Sequence, residues 1–282
     1  MIDIITSGCS FTNDPVSWAN ILSEELSGNY TVTNVSQGGV GQEYITRSAI
    51  SALNNVPDKK ICIAQLSSSY RVEFIIDKKE NPNLYEKVKV NHGKDFFDKI
   101  HQTEYRTFWP KGTTPGRQWY RLNDDTILLI RTTDVGHEWY NKNTEAGKMV
   151  DSINHLISLD QRLMWTYEHL ARLQWYCKIN NIPLFCFYGW RCMSNPYNVE
   201  LVERSSCLVD WSNVWLYDKD GGMADWMTDQ GHHGKLDEDY TNKPPQGWAT
   251  VNGKKTMIGH PTAEAQRDFC KQIIVPWVRK ND

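Results

Sequence analysis

The chain lacks most of the features that would assign it to a specialised class. Its cysteines are Cys9, Cys62, Cys177, Cys186, Cys192, Cys207 and Cys270, an odd number with no C-x-x-C pair. That pattern predicts reduced core thiols over a disulfide framework or a zinc site. No apolar run approaches the roughly 20 residues that a membrane-spanning helix needs, so no membrane association is expected. The opening residues, 1–8, show no basic stretch followed by a long apolar one. This predicts no cleaved signal peptide and a cytoplasmic setting. Lys and Arg number 31 against 34 Asp and Glu, a net charge of −3. Such a balance offers no broad basic field for nucleic acid and no acidic tail. Gly38-Gly-Val-Gly41 has the glycines but not the G-x-G-x-x-G spacing of a dinucleotide loop.

What the chain does have is material for a core. Of its 282 residues 40% are hydrophobic and 12% aromatic, which argues against disorder. The twelve tryptophans are read mainly as core or sheet-edge residues, with a sugar-stacking surface as the alternative. Residues 2–6 read as a short buried strand. After Pro15, the spacing of Trp18, Ile21, Leu22 and Leu26 predicts a helix over about 15–27. A strand follows at 30–35, then a helix with Tyr44, Ile45, Ala49 and Leu53 on one face, then an apolar strand at 60–66.

Strand, helix, strand, helix, strand predicts a parallel sheet with helices packed on its faces. Later, Leu156, Leu159, Leu163, Tyr167, Leu170, Leu173 and Cys177 step by three or four, predicting a long helix over about 151–179. A strand at 184–188 resumes the sheet. The last helix starts after His260 and Pro261 and carries Phe269, Ile273 and Trp277; Pro276 is expected to end or bend it. The expected architecture is therefore α/β, one domain over 1–282, with two insertions. One covers about 75–150, with strand candidates at 87–90 and 126–130 and a loop at 109–116. The other covers about 190–255 and is rich in Trp, Gly and Asp.

In an open parallel sheet, ligands bind beyond the carboxyl ends of the strands. Three strands here end in small or hydroxyl residues: Gly8-Cys9-Ser10, Gly38-Gly39 and Ser67-Ser68-Ser69. Any one of them is what a sharp βα turn requires; their convergence on one edge points to a site. Ser10 would stand at a strand-to-helix turn, and Gly39 would offer a backbone N–H that no side chain blocks. A serine so placed needs a base. His260 is the candidate, presented from a loop just before a helix that opens with Pro261 and Glu264.

These residues resemble a family. Gly8-Cys-Ser-Phe-Thr12 resembles the first block of the SGNH (GDSL-type) serine hydrolases, whose Gly-Asp-Ser-like turn holds the nucleophile. Asn34-Val-Ser-Gln-Gly-Gly39 is similar to the second block, whose glycine supplies an oxyanion-hole amide. Gly259-His-Pro-Thr-Ala-Glu264 resembles the last block, Asp-x-x-His-Pro, with the catalytic base. The Gly-Cys-Ser-Phe-Thr form is like that of divergent members often encoded by bacteriophages, which implies a virion-associated setting as the alternative to the cytoplasm. The resemblance covers about 1–75 and 255–280. It implies a three-layer α/β/α fold with a central, mainly parallel, flavodoxin-like sheet. It also implies a serine esterase or acyl-hydrolase acting on an ester or an acetylated carbohydrate, with no metal or organic cofactor. Ser10 would be the nucleophile, His260 the base, Gly39 an oxyanion donor and Ser69 a third one.

Two positions depart from the pattern. Ser69 falls where the family usually has an Asn, and Met257 where the catalytic Asp is expected. Methionine cannot accept the imidazole N–H, and disabling that acid in serine proteases costs roughly 10⁴ in turnover. Asp225, Asp229, Asp237 and Asp239 are upstream carboxylates that could stand in. Two readings therefore remain open: an active esterase, or a catalytically impaired binding or structural protein on the same fold. Among the remaining features, Cys9 is a structural thiol or a rival nucleophile, and the pair His232-His233 is a polar loop or a metal site. Arg71 and Glu73 either pair with each other or grip a substrate carboxylate or sugar hydroxyl.

Overall fold

The computed structural model describes residues 1–38, 40–56, 59–69, 71–83, 118–123, 126–131, 152, 156–190, 204–219, 221–232, 234–235, 248–251, 254–257 and 259–282. Gly39, the strand candidate at 87–90, the loop at 109–116, His233, Asp237 and Asp239 lie outside them. The first half of the core alternates as the apolar spacing demands. Strand β1 (Ile2–Ser7) leads into a single turn, α1 (Ser10–Asn13), and then α2 (Trp18–Glu25). Strand β2 (Tyr30–Asn34), helix α3 (Gln42–Asn54) and strand β3 (Lys60–Leu66) follow. Strands β4 (Val72–Asp77), β5 (Gln118–Asn123) and β6 (Thr126–Arg131) form a separate antiparallel sheet in the order β4-β6-β5. The expected strand at 126–130 is therefore present, but it belongs to this second sheet.

The core resumes with the long helix α4 (Leu159–Ile179) and strand β7 (Leu184–Tyr188). Strand β8 (Val214–Trp215), inside the segment read as the second insertion, completes a five-stranded sheet in the order β2-β1-β3-β7-β8. Every neighbouring pair in that sheet is parallel. Counted within the sheet alone, the strand order is that of the flavodoxin-like doubly wound arrangement.

Alternation along β7 shows why both faces are covered, because successive side chains point to opposite sides. Phe185 meets Trp277 at 5.1 Å, and Phe187 meets Trp18 at 5.3 Å and Phe269 at 5.1 Å. Cys186, one residue away, feels Cys177 of α4 on the other face, where Cys62 of β3 also hydrogen-bonds Cys177. Cys62, Cys186 and Cys270 are held protonated accordingly. The hydrogen bond to Cys177 and then burial raise Cys62, burial raises Cys186, and burial first of all pushes Cys270 up to about 12.

After β8 come α5 (Met223–Asp229), the short strand β9 (Gly234–Lys235), and β10 (Trp248–Val251) paired with β11 (Lys254–Met257). Strand β12 (His260–Pro261) and α6 (Ala263–Phe269) close the chain, the helix running on through a π turn at Cys270–Ile274 into Val275–Asn281. Of the two outcomes expected at Pro276, an end or a bend, the end does not occur. Pro276 sits in the first turn of the last segment, and the wider π turn before it absorbs the register that a ring without an N–H would break. Among the described residues no helix is long and apolar enough to cross a membrane.

Candidate active site

In the order β2-β1-β3, the chain leaves β1 towards one side of the sheet and later crosses to the other, so the crevice between the carboxyl ends of β1 and β3 is a topological switch point. Ser10 and the 67–69 serines stand at those two ends. The Gly8-Cys9-Ser10 turn is tight because Gly8 is packed against Thr12 and Gln65. A Cβ there would overlap the Thr12 hydroxyl and come within 2.9 Å of the Gln65 Cβ, so no other residue fits without displacement.

Gln65, inside the apolar run of β3 and fully buried, is the centre of the turn. Its Oε1 accepts from the Cys9 N–H and Sγ at 3.2 Å and from Thr12 Oγ1 at 3.0 Å, while its Nε2 donates to the Leu66 carbonyl at 2.7 Å. A carbonyl oxygen shared among three donors fixes the backbone just before Ser10. Cys9 is buried in this network, as a structural thiol would be. The second turn is tied to the first: Asn34 Nδ2 donates to the Thr12 carbonyl at 2.9 Å and the Gln37 N–H to the Gly8 carbonyl at 3.1 Å. Gly38 follows in that turn.

The C-terminal block reaches the same place. His260 is half-buried, and its ring meets Phe11, the neighbour of Ser10, edge-on at 5.4 Å. Where a loop was expected, His260 lies in a two-residue strand whose partner is Lys235. Gly259 before it has φ 76°, a left-handed bend that glycine adopts without a steric cost. Gln266 then fastens the following helix to the serine turn. Its Nε2 donates to the Phe11 carbonyl and its Oε1 accepts the Trp18 N–H, both at 3.1 Å. The structure thus brings Ser10 and His260 to one edge, although no hydrogen bond joins the Ser10 hydroxyl to the imidazole among the described contacts. Ser69 is buried beyond β3.

Neither described carboxylate stand-in is idle. Asp225 Oδ2 accepts the Gly222 N–H at 2.8 Å at the start of its own helix, and Asp229 Oδ2 accepts from the Tyr217 hydroxyl at 2.9 Å. Met257 ends β11, its backbone opposite Trp248. His232 Nε2 lies 3.0 Å from Asp268 Oδ2, a hydrogen-bonded contact that holds the loop before β9 to α6.

Gln65 and Gln266 are the site residues that motif reading missed. A lone amide inside the apolar run 61–66 was a legible signal, since a buried polar group requires partners; Gln266 left none, standing on a helix among polar neighbours. Compared with protein-family models and with curated proteins, the sequence matches none.

Proposed function

We propose that the protein is a serine esterase or acyl-hydrolase of SGNH type, with an ester or an acetylated carbohydrate as substrate. The observation that carries this reading is the ring contact between His260 and Phe11 at 5.4 Å, which brings a C-terminal imidazole beside an N-terminal serine turn. Ser10 Oγ attacks the ester carbonyl carbon while His260 takes its proton. The oxyanion is received by the Ser10 amide, which heads α1 where helical N–H groups lack intrahelical acceptors, by the Gly39 amide, and by Ser69 as a third donor. His260 returns the proton to the leaving alcohol, and water, activated by the same imidazole, hydrolyses the acyl-serine.

A second reading, a binding or structural protein on the same fold, is favoured by Met257, since a thioether stands where the family has its acid and cannot accept an imidazole N–H. Turnover of p-nitrophenyl acetate separates the two. The esterase reading expects hydrolysis above background that disappears in Ser10→Ala and falls by roughly 10³-fold or more in His260→Gln. Equal rates in all three proteins favour the binding reading.

A further inference from the structure

The proposed ester site lies beyond the carboxyl ends of the strands; the opposite end of the same sheet holds a cavity. Strand β8 is two residues long and pairs only with Cys186 and Phe187 of β7. Leu184 and Phe185, at the amino end of β7, therefore run past it with no strand alongside on that edge among the described residues. The notch this leaves is a cavity of about 640 Å³ between α4, the loop leading into β8 and the last helix. That volume falls within the roughly 300–1,000 Å³ usual for small-molecule sites.

Three indoles line the cavity, each from a different element: Trp175 of α4, Trp215 of β8 and Trp277 of the last helix. Trp215 and Trp277 are half-buried and rest on core rings, Trp215 on Phe269 at 5.3 Å and Trp277 on Phe185 at 5.1 Å. Trp175 is 65% exposed, so most of its ring is open. The polar rim is fixed before any ligand arrives. Gln174 Nε2 donates to the Asp210 carbonyl at 2.7 Å, and its Oε1 accepts the Asp210 N–H at 2.8 Å. The Asp210 carboxylate in turn accepts from the Ser212 N–H at 3.1 Å, the Ser212 hydroxyl at 2.6 Å and Asn213 Nδ2 at 2.9 Å. Ser212 Oγ keeps its lone pairs, and Asn213 its amide oxygen and second amide hydrogen. Lys178 and Asp210 supply one charge of each sign to the lining, so it favours neither.

A ligand that matches such a lining is uncharged, with flat apolar faces for the indoles and hydroxyls around its edge for the rim. A pyranose ring is built that way, with C–H faces and peripheral hydroxyls. An apolar segment would cover the rim's amide and hydroxyl without offering partners, and an anion would meet Asp210 as readily as Lys178. We propose that the notch is a second, non-catalytic site that binds a neutral glycan, stacked on Trp175, Trp215 and Trp277. It lies at the other end of the sheet from Ser10, and the proposal does not depend on the esterase reading.

Isothermal titration calorimetry of the full-length protein tests it, with cellohexaose, xylohexaose, maltohexaose and chitohexaose as neutral probes and hexagalacturonate as the charged counterpart. The expected result is binding of at least one neutral hexasaccharide, insensitive to salt, weakened roughly tenfold or more in Trp175→Ala and unchanged in Ser10→Ala. Trp175 is exposed, so that variant should keep the Tm of the parent, and it should hydrolyse p-nitrophenyl acetate at the parent rate. Sugar binding that needs Trp175 in a protein that turns over no ester supports the proposal; the esterase reading then fails alone. The proposal is overturned if no neutral probe binds, if only hexagalacturonate binds, if Trp175→Ala binds as tightly as the parent, or if Ser10→Ala abolishes binding. A dimer that Trp175→Ala dissolves, seen by sedimentation without any sugar binding, assigns the surface to a second copy of the chain and overturns it too.

Discussion

Gln266→Leu tests whether the two ends of the chain depend on one another. In the native protein this fully buried amide satisfies two main-chain groups of the N-terminal segment, the Trp18 N–H and the Phe11 carbonyl. The Trp18 N–H opens α2, and Ser17, the residue before it, makes no side-chain capping bond, so Gln266 stands in for the missing cap. Leucine leaves both groups buried without partners. A stranded N–H costs about 1–3 kcal/mol and a carbonyl somewhat less. The extra apolar burial of leucine returns about 1 kcal/mol, so the expected net loss is about 2 kcal/mol. Urea unfolding followed by tryptophan fluorescence measures it as a lower midpoint at unchanged slope. Gln266→Glu sharpens the test: a carboxylate facing the Phe11 carbonyl has its folded pKa raised, so that variant should lose stability as pH rises. A Gln266→Leu midpoint within about 0.5 kcal/mol of the parent would refute the reasoning, because that is the scatter expected of a site without special contacts.

Gln65→Met keeps volume but removes the acceptor shared by Cys9 and Thr12, and should cost about 2 kcal/mol in the same urea assay and lower ester turnover. His169, on α4, has its pKa lowered from 6.5 to about 4, first by burial and then by Arg172 and Arg47. Its folded pKa lies below its unfolded one, so stability present above pH 6.5 is lost as pH falls towards about 4. His169→Asn should flatten Tm across that window. Cys207 is exposed whereas Cys62, Cys177, Cys186 and Cys270 are buried. A thiol reagent should therefore modify Cys207 in the folded protein and the other four only on unfolding, as mapped by peptide mass.

The parts of the fold legible in the sequence were those where burial dictates composition. Strands β3 and β7 have the bounds read from their apolar runs, because a central parallel strand is covered on both faces and admits few polar residues. Helix α4 was placed correctly on Leu163, Tyr167, Leu170, Leu173 and Cys177, all buried, but the expected span of about 151–179 is interrupted: residues 152 and 156 are helical, 157–158 are not, and α4 starts afresh at Leu159. Leu156 carries the spacing yet is 81% exposed. The helix begins where Ser158 Oγ accepts the Gln161 N–H at 3.1 Å, a capping signal that outweighs one more apolar residue. The fifth strand, β8, is two residues long and too short to leave a pattern. At the site, the turns at 8–10 and 67–69 and the block around His260 were readable because tight turns and helix starts restrict residue type. The glutamine fastenings and the pairing of His260 with Lys235 were not, since they join residues far apart in sequence through single hydrogen bonds and short bridges.

Covalent labelling with a fluorophosphonate, followed by peptide mapping, addresses the proposed chemistry most directly, because it reads nucleophilicity at one atom without any assumption about substrate. The account predicts a single phosphonyl adduct on the peptide containing Ser10, absent in Ser10→Ala and formed far more slowly in His260→Gln. An adduct elsewhere, or labelling that proceeds at the same rate without either side chain, would contradict it.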